Sequence, residues 1–333
     1  MKPFINSNSP IPKYQQLVSS IVKEIQNGTW KLNDKLPSVN QLCIINDISR
    51  DTVLLAYNEL KSKGIVEGRS GKGYYVSCTK VENKIQRIFL LFDELNSFKE
   101  QLHNSFVNHL PKDVKLDVYF HYFNEELFAR FIKENQHRYD AYVIMPVWFR
   151  NIEKYIGILS PSKLVMLDQW PNGMPEICSG VYQDFYRDIL LGLTDALPYI
   201  EKYKCIRMIH PGGKEPEAMI EGAKDFASNN GFNFKCSHNL NSVEIKSKCL
   251  YLVINDGQLL EFCAMCKKKG LIPGKDIGLI SYNDSPFKPF IFDGIATIST
   301  DFSRMGKRLA EIVFASQTIC EKNPAHFIYR KSV

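Results

Sequence analysis

The chain has 333 residues, 44% of them hydrophobic, enough for two or three domains that each bury a core. Its N-terminus, Met1-Lys2-Pro3-Phe4-Ile5, has no apolar signal-like stretch, and no downstream run approaches the roughly 18 apolar residues of a membrane span, so a cytoplasmic protein with no membrane contact is expected. Of the formal net charge of +6, residues 1 to 80 hold +5 (11 Lys and Arg against six Asp and Glu), which points to a polyanionic partner for the first quarter or simply to a solvated basic face.

In that first quarter Tyr14, Leu17, Val18, Ile21, Val22 and Ile25 recur at helical spacing before Gly28, predicting a helix from about Lys13 to Asn27. Ser38 and Gln41 have capping-box spacing and open a short second helix with Val39, Leu42 and Cys43 on its apolar side. Ser49 can cap a third helix whose Val53, Ala56, Tyr57 and Leu60 face inward and which stops at Gly64. Ile65 to Arg69 and Tyr74 to Val76 read as two strands around the basic glycine tip Ser70-Gly71-Lys72-Gly73. Three helices and such a hairpin describe a winged helix-turn-helix, which can set Arg50, Asp51 and Thr52 at base edges and bring the glycine tip close to a phosphate.

Residues 77 to 87 are polar and aperiodic, as a linker would be, between domains expected at 1–76 and 88–333. Beyond them apolar strands alternate with amphipathic helical stretches: Ile88 to Phe92, Val114 to Phe120, Ala141 to Met145, Leu164 to Leu167, Cys205 to Ile209, Leu250 to Ile254 and Ile277 to Ser281. That alternation predicts an α/β fold of parallel sheets, and the length suits two lobes. Ligands of such folds sit at the carboxyl ends of strands, and those ends are polar: Asp93, Asp168-Gln169, His210, Asn255-Asp256 and Asn283-Asp284. Asp and Asn there can also cap the following helices, but five such ends together favour a cleft for a polar ligand. Phe98, Trp148, Trp170 and Phe287 lie in nearby loops and can cover the apolar face of a sugar ring, or belong to the core.

The nine cysteines are odd in number and scattered, a cytosolic usage rather than a disulfide framework, and Cys263-Ala264-Met265-Cys266 lacks the second ligand pair of a zinc site. No nucleophile elbow, P-loop or HExxH motif is present, so neither a catalytic centre, a metal nor a cofactor is expected. His210-Pro211-Gly212-Gly213-Lys214 between a strand and a helix can hold a phosphate through its amides and Lys214, although Glu215 and Glu217 oppose an anion.

From about Ile11 to Val76 the sequence resembles the DNA-binding domain of GntR-family bacterial regulators, through Leu36-Pro37-Ser38, Ile48-Ser49-Arg50-Asp51-Thr52-Val53, Leu60 to Gly64 and Gly71-Lys72-Gly73-Tyr74-Tyr75-Val76. The resemblance implies DNA contacts at Ser38, Ser49, Arg50, Thr52, Lys72 and Gly73. With Asp51, with Arg69 beside the tip, and with Asn40 where that family usually has arginine, these make the candidate DNA set.

From about Arg87 onward the chain resembles the sugar-sensing domain of LacI-type repressors, which is related to periplasmic binding proteins. Asn96-Ser97-Phe98, Tyr139-Asp140-Ala141, Val165 to Asp168, Val181 to Asp184, Ile254-Asn255-Asp256, Gly270 to Asp284 and Met305-Gly306 carry the likeness. It implies effector contacts at Asn96, Phe98, Asp168, Asn255 and Asn283; the candidate set adds Asp93, Trp148, Gln169, Asp184, His210 and Phe287. Where many relatives place a ligand-binding arginine this chain has Met219, with Lys214, Glu217 or His210 as substitutes. Together the two resemblances imply a homodimeric repressor of carbohydrate-utilisation genes, in the manner of arabinose-type repressors, controlled by a pentose or 6-deoxyhexose. A sensor of a phosphorylated sugar or another metabolite, or a sugar-modifying enzyme with a DNA-binding head, are the alternatives.

Overall fold

The computed structural model describes residues 5, 12–79, 85–136, 138–147, 149, 152–171 and 178–333. Two compact units emerge: one runs to Ile85 and takes in Ile158–Ser160, and the other comprises Gln86–Gly157 and Pro161–Val333.

The first unit holds α1 (Lys13–Gln26), α2 (Val39–Asn46), α3 (Arg50–Ser62) and the antiparallel hairpin β1 (Val66–Arg69) and β2 (Gly73–Val76). Helix α2 starts with the full capping box: the Ser38 side chain accepts from the Gln41 amide while the Gln41 side chain accepts from the Ser38 amide. Ser49 accepts from the Thr52 amide at the start of α3, so α2 and α3 each meet one orphan donor locally. Leu17, Ile21, Leu42, Val53, Ala56 and Leu60 form the core. Tyr57 stacks on Tyr74 at 3.9 Å between ring centroids and donates to the Pro37 carbonyl, tying the hairpin and the start of α2 to α3. After β2, Ser77 and Cys78 donate their amides to the Ile65 carbonyl.

The second unit contains β3 (Arg87–Phe92), α4 (Ser97–Asn108), β4 (Lys115–Phe120), α5 (Glu125–Asn135), β5 (Ala141–Ile144), α6 (Ile152–Ile156), β6 (Leu164–Asp168) and β7 (Ser179–Tyr182). It continues through α7 (Phe185–Ile200), β8 (Cys205–Ile209), α8 (Ala218–Asn229), β9 (Asn233–Ser237), β10 (Cys249–Val253), α9 (Asp256–Lys269) and β11 (Gly278–Tyr282). The last elements are β12 (Ala296–Thr300), α10 (Phe302–Val313), β13 (Cys320–Lys322) and β14 (Ala325–Ile328).

Two six-stranded sheets result, ordered β13-β7-β6-β5-β3-β4 and β14-β12-β11-β10-β8-β9. Every pairing is parallel except β12 with β14, which is antiparallel. Strands such as β6, β10 and β11 are buried along their whole length, which is why they read as unbroken apolar runs rather than alternating ones. The chain passes between the sheets three times, after β7, after β12 and after β13. The passages are bonded together: Asn323 donates its amide to Tyr182 O at 2.7 Å and its side chain to Asp301 O at 2.9 Å.

Cys205 and Cys249 stand directly opposite each other on β8 and β10, with Cα atoms 4.9 Å apart, and are joined as a disulfide. The scattered cysteine pattern held no spacing signal for that bond, because strand register creates the pairing. Cys263 and Cys266 are free and buried, and burial pushes their thiols up to about 11 and about 12, which leaves them inert as nucleophiles. Among the described residues no group of three His, Cys, Asp or Glu could hold a metal, and no helix is long and apolar enough to cross a membrane.

Candidate functional site

In the first unit α2, the turn after it and α3 bring the candidate DNA residues to the surface. Ser38, Asn40, Ser49, Arg50 and Asp51 are exposed and Thr52 half-buried. Three are engaged in capping: Ser38 with Gln41, and Ser49 with Thr52, whose hydroxyl oxygens are 2.8 Å apart. The side chains of Asn40 and Arg50 bond to none of the described residues, so they are available to a partner. At the hairpin Lys72 is exposed and its ammonium is likewise unengaged, while Gly71 and Gly73 have φ of 69° and 104°, a backbone that a side chain would strain. Arg69 is held: it donates to Glu67 at 2.6 Å and to Asn33, and its guanidinium lies 4.2 Å from the Tyr75 ring centroid. This face carries free guanidinium, amide and ammonium donors beside an approachable tip, a set suited to phosphate oxygens and base edges.

In the second unit a cavity of about 200 Å³ lies where the strand ends of both sheets converge. Asp93, Asn96, Phe98, Asp168 and Gln169 line it from the first sheet's connections, and Asn255 and Asn283 from the second's. Asp168 and Asn283 have φ of 72° and 55°, left-handed backbone at strand ends, a strained geometry that clusters where a side chain must be aimed at a ligand. Asn96 and Asn255 also cap α4 and α9 with their side-chain oxygens, so capping and lining coexist at these residues.

Four of the candidate effector residues are placed elsewhere or not described. His210 is fully buried and holds its own turn, accepting from the Gly212 amide at 3.1 Å and lying 3.2 Å from Pro216 O. Asp184 caps α7 and pairs with Lys322. Phe287 packs into the apolar cluster of β10 and α9. Trp148 lies outside the described residues. Trp170 is absent from the lining and leans on Tyr182 at 5.4 Å.

The structure adds residues that sequence patterns do not single out. Gln183 donates to Asp168 and accepts from Tyr282 OH at 3.0 Å and from Thr300, so one amide in the cavity wall joins both sheets. Its only sequence signal is its place in the run Val181 to Asp184 that carries the LacI-type resemblance. Lys99 is buried and pairs with Asp93, Lys214 pairs with Glu94, and Glu215 lines the wall with Asn255. Phe123, Phe185, Met219 and Phe302 form apolar patches, with Phe98 stacked on Phe302 at 5.4 Å. Lys288 lies beneath the lining, fully buried, 2.8 Å from Asp256 and donating to the carbonyls of Tyr282 and Asn283. Burial, with the nearby Asp93 adding to it, pushes the Asp168 carboxyl above the usual carboxylate range, and burial does the same to Glu215. Carboxyl and amide oxygens thus line the cavity with aromatic surface beside them.

The sequence profile described as "Bacterial regulatory proteins, gntR family" matches residues 13–76. The YtrA repressor of Bacillus subtilis is 38% identical over 88 residues, which are 25% of this chain and 68% of that protein. The uncharacterised regulator YdfD of the same organism is 41% identical over 66 residues, but these are 20% of this chain and only 14% of YdfD. Among solved structures, a dimeric Lac repressor with a C-terminal deletion superposes with a TM-score of 0.63 at 14% identity, over 74% of this chain and 98% of that one. At that identity the likeness establishes the two-sheet fold of the second unit and no more.

Proposed function

The chain belongs to the gntR family of bacterial regulatory proteins, and from that premise we propose that it represses carbohydrate-utilisation genes under the control of a small sugar. The observation that carries the sugar half is the convergence of Asp93, Asp168, Asn255 and Asn283, from two different sheets, on one cavity of about 200 Å³. That volume suits a monosaccharide, whose hydroxyls would donate to the carboxylates and amides while Phe98 and Phe302 cover its apolar face. A pentose or 6-deoxyhexose fits the apolar share of the wall at Met219 and Phe185. The protein is cytoplasmic in this scheme and does no chemistry on its ligand.

The DNA half rests on the free Arg50, Asn40 and Lys72 side chains of the first unit. One short recognition helix reads few base pairs, so a homodimer on a pseudo-palindromic site doubles the contacts. Sugar binding changes the balance of the cleft about Gln183, and residues 77 to 87 pass that change to the DNA-binding unit. By linkage DNA must then alter sugar affinity by the same factor.

The test is a melting-point screen of free monosaccharides on the full chain, since a ligand that binds only the folded state raises the melting temperature. At least one sugar is expected to do so, and Asn283→Ala to abolish the shift. A shift that survives Asn283→Ala and Asp168→Ala alike would place the ligand elsewhere.

A further inference from the structure

The ammonium groups at the cleft are all committed. Lys99 is buried against Asp93, and Lys288 beneath the lining is bound to Asp256. Lys214, the most exposed of the three, reaches from the end of β8 to Glu94 at the end of β3, a 2.5 Å contact between residues of different sheets. Its ammonium also lies 4.9 Å from the Phe123 ring centroid. No arginine is among the described residues that line the cavity.

Lys99 lies near both Asp168 and Glu215, and Lys214 near Glu215, but among the described residues neither carboxyl has an ion-pair partner of its own. Asp168 is 5% exposed; one of its oxygens takes the Gln183 amide and the other accepts from none of the described residues. The buried Oδ1 of Asn283 has no partner among the described residues either. The cavity therefore presents unused acceptors, which call for a ligand that donates. A phosphate group brings about −1.5 to −2 charges near neutral pH and strong acceptor oxygens. It would meet the carboxyls of Asp168 and Glu215 in a site of low dielectric, where like charges repel strongly, and the one lysine near enough to the opening to receive it is held by Glu94.

We propose that the cleft takes an unphosphorylated monosaccharide and rejects its phosphate esters, and that Glu94 sets this selectivity by holding Lys214. The inference rests on the cleft being the effector site. It places the ligand before any phosphoryl-transfer step that consumes it. The Glu94–Lys214 contact is the specificity determinant: without the carboxylate, the ammonium is free to meet a phosphate.

The experiment uses the full chain and matched pairs, ribose with ribose 5-phosphate, arabinose with arabinose 5-phosphate, and glucose with glucose 6-phosphate, screened by melting point and then titrated calorimetrically at pH 7.5. A free sugar is expected to bind at least a hundredfold more tightly than its ester. Glu94→Gln should narrow that gap at least tenfold, and adding Lys214→Met should restore it; the melting point without ligand checks that each variant folds. An ester that binds the wild type as tightly as its sugar overturns the inference and leaves the cleft as the effector site, as does a gap that Glu94→Gln leaves unchanged. If no member of any pair binds, the effector site and the inference fall together.

Discussion

Lys288 is the side chain whose removal should do the most damage for the least change in shape. It is fully buried, and its ammonium meets the Asp256 carboxylate at 2.8 Å and the carbonyls of Tyr282 and Asn283. Lys288→Met keeps length and apolar stem but leaves one carboxylate and two carbonyls without that donor. Breaking a buried pair from one side costs about 3–5 kcal/mol. The Asp256 side chain is 28% exposed, so water recovers part of the loss and the lower end, about 3 kcal/mol, is expected. Urea unfolding at pH 7 reads this directly, provided the slope with denaturant is unchanged. The double variant Lys288→Met with Asp256→Asn should cost less than the two singles added, with a coupling of about 1–3 kcal/mol. Because the same ammonium holds the backbone of Asn283 at φ 55°, sugar affinity should fall as well. A loss below about 1 kcal/mol, or strictly additive variants, would show that the ammonium does not hold this corner of the cleft.

Asp188, on the first turn of α7, has a buried oxygen without a partner among the described residues, and burial first, then Asp184, pushes its carboxyl up to about 8. An acid with its folded value above its unfolded one keeps more protons when folded. Its contribution is therefore favourable below about pH 4 and lost at about 1.4 kcal/mol per pH unit as pH rises towards 8. Asp188→Asn should flatten that stretch of the stability profile, and parallel profiles for the two proteins from pH 5 to 9 would contradict the assignment. On the DNA side, Arg50→Ala should abolish sequence-specific binding, whereas Lys72→Ala should weaken binding to any duplex and lower the salt slope by about one. Gel shifts in which both variants match wild type would be incompatible with the proposed face. Asp168→Asn and Asn283→Ala should lose the sugar response and retain DNA binding, measured by calorimetry beside gel shifts; neither residue belongs to the first unit.

The local signals in this chain were legible because they depend on a few neighbouring residues. Ser38 with Gln41 and Ser49 with Thr52 fix the starts of α2 and α3 by hydrogen bonds spanning three residues. The apolar runs of β3, β6, β10 and β11 announce buried parallel strands, with Asp93, Asp168, Asn255 and Asn283 as the polar residues that follow them. Strands β9, β13 and β14 are short, partly exposed edges without a clean pattern. Gln183 and Glu94 take their roles from partners about a hundred residues away, beyond the reach of any spacing rule. Phe287 and Lys288 show the same limit: the aromatic turns into the core and the lysine goes beneath the cleft, and only the packing of the turn after β11 decides which.

Coupling between sugar and DNA is the most direct test. A duplex would be selected from a random library with the wild-type chain, and its affinity measured as the stabilising monosaccharide is added. A change of about 5- to 150-fold is expected, equal to the change in sugar affinity when the duplex is added, and absent in Asn283→Ala. A duplex affinity that stays constant while the sugar saturates its site would contradict regulation by that sugar.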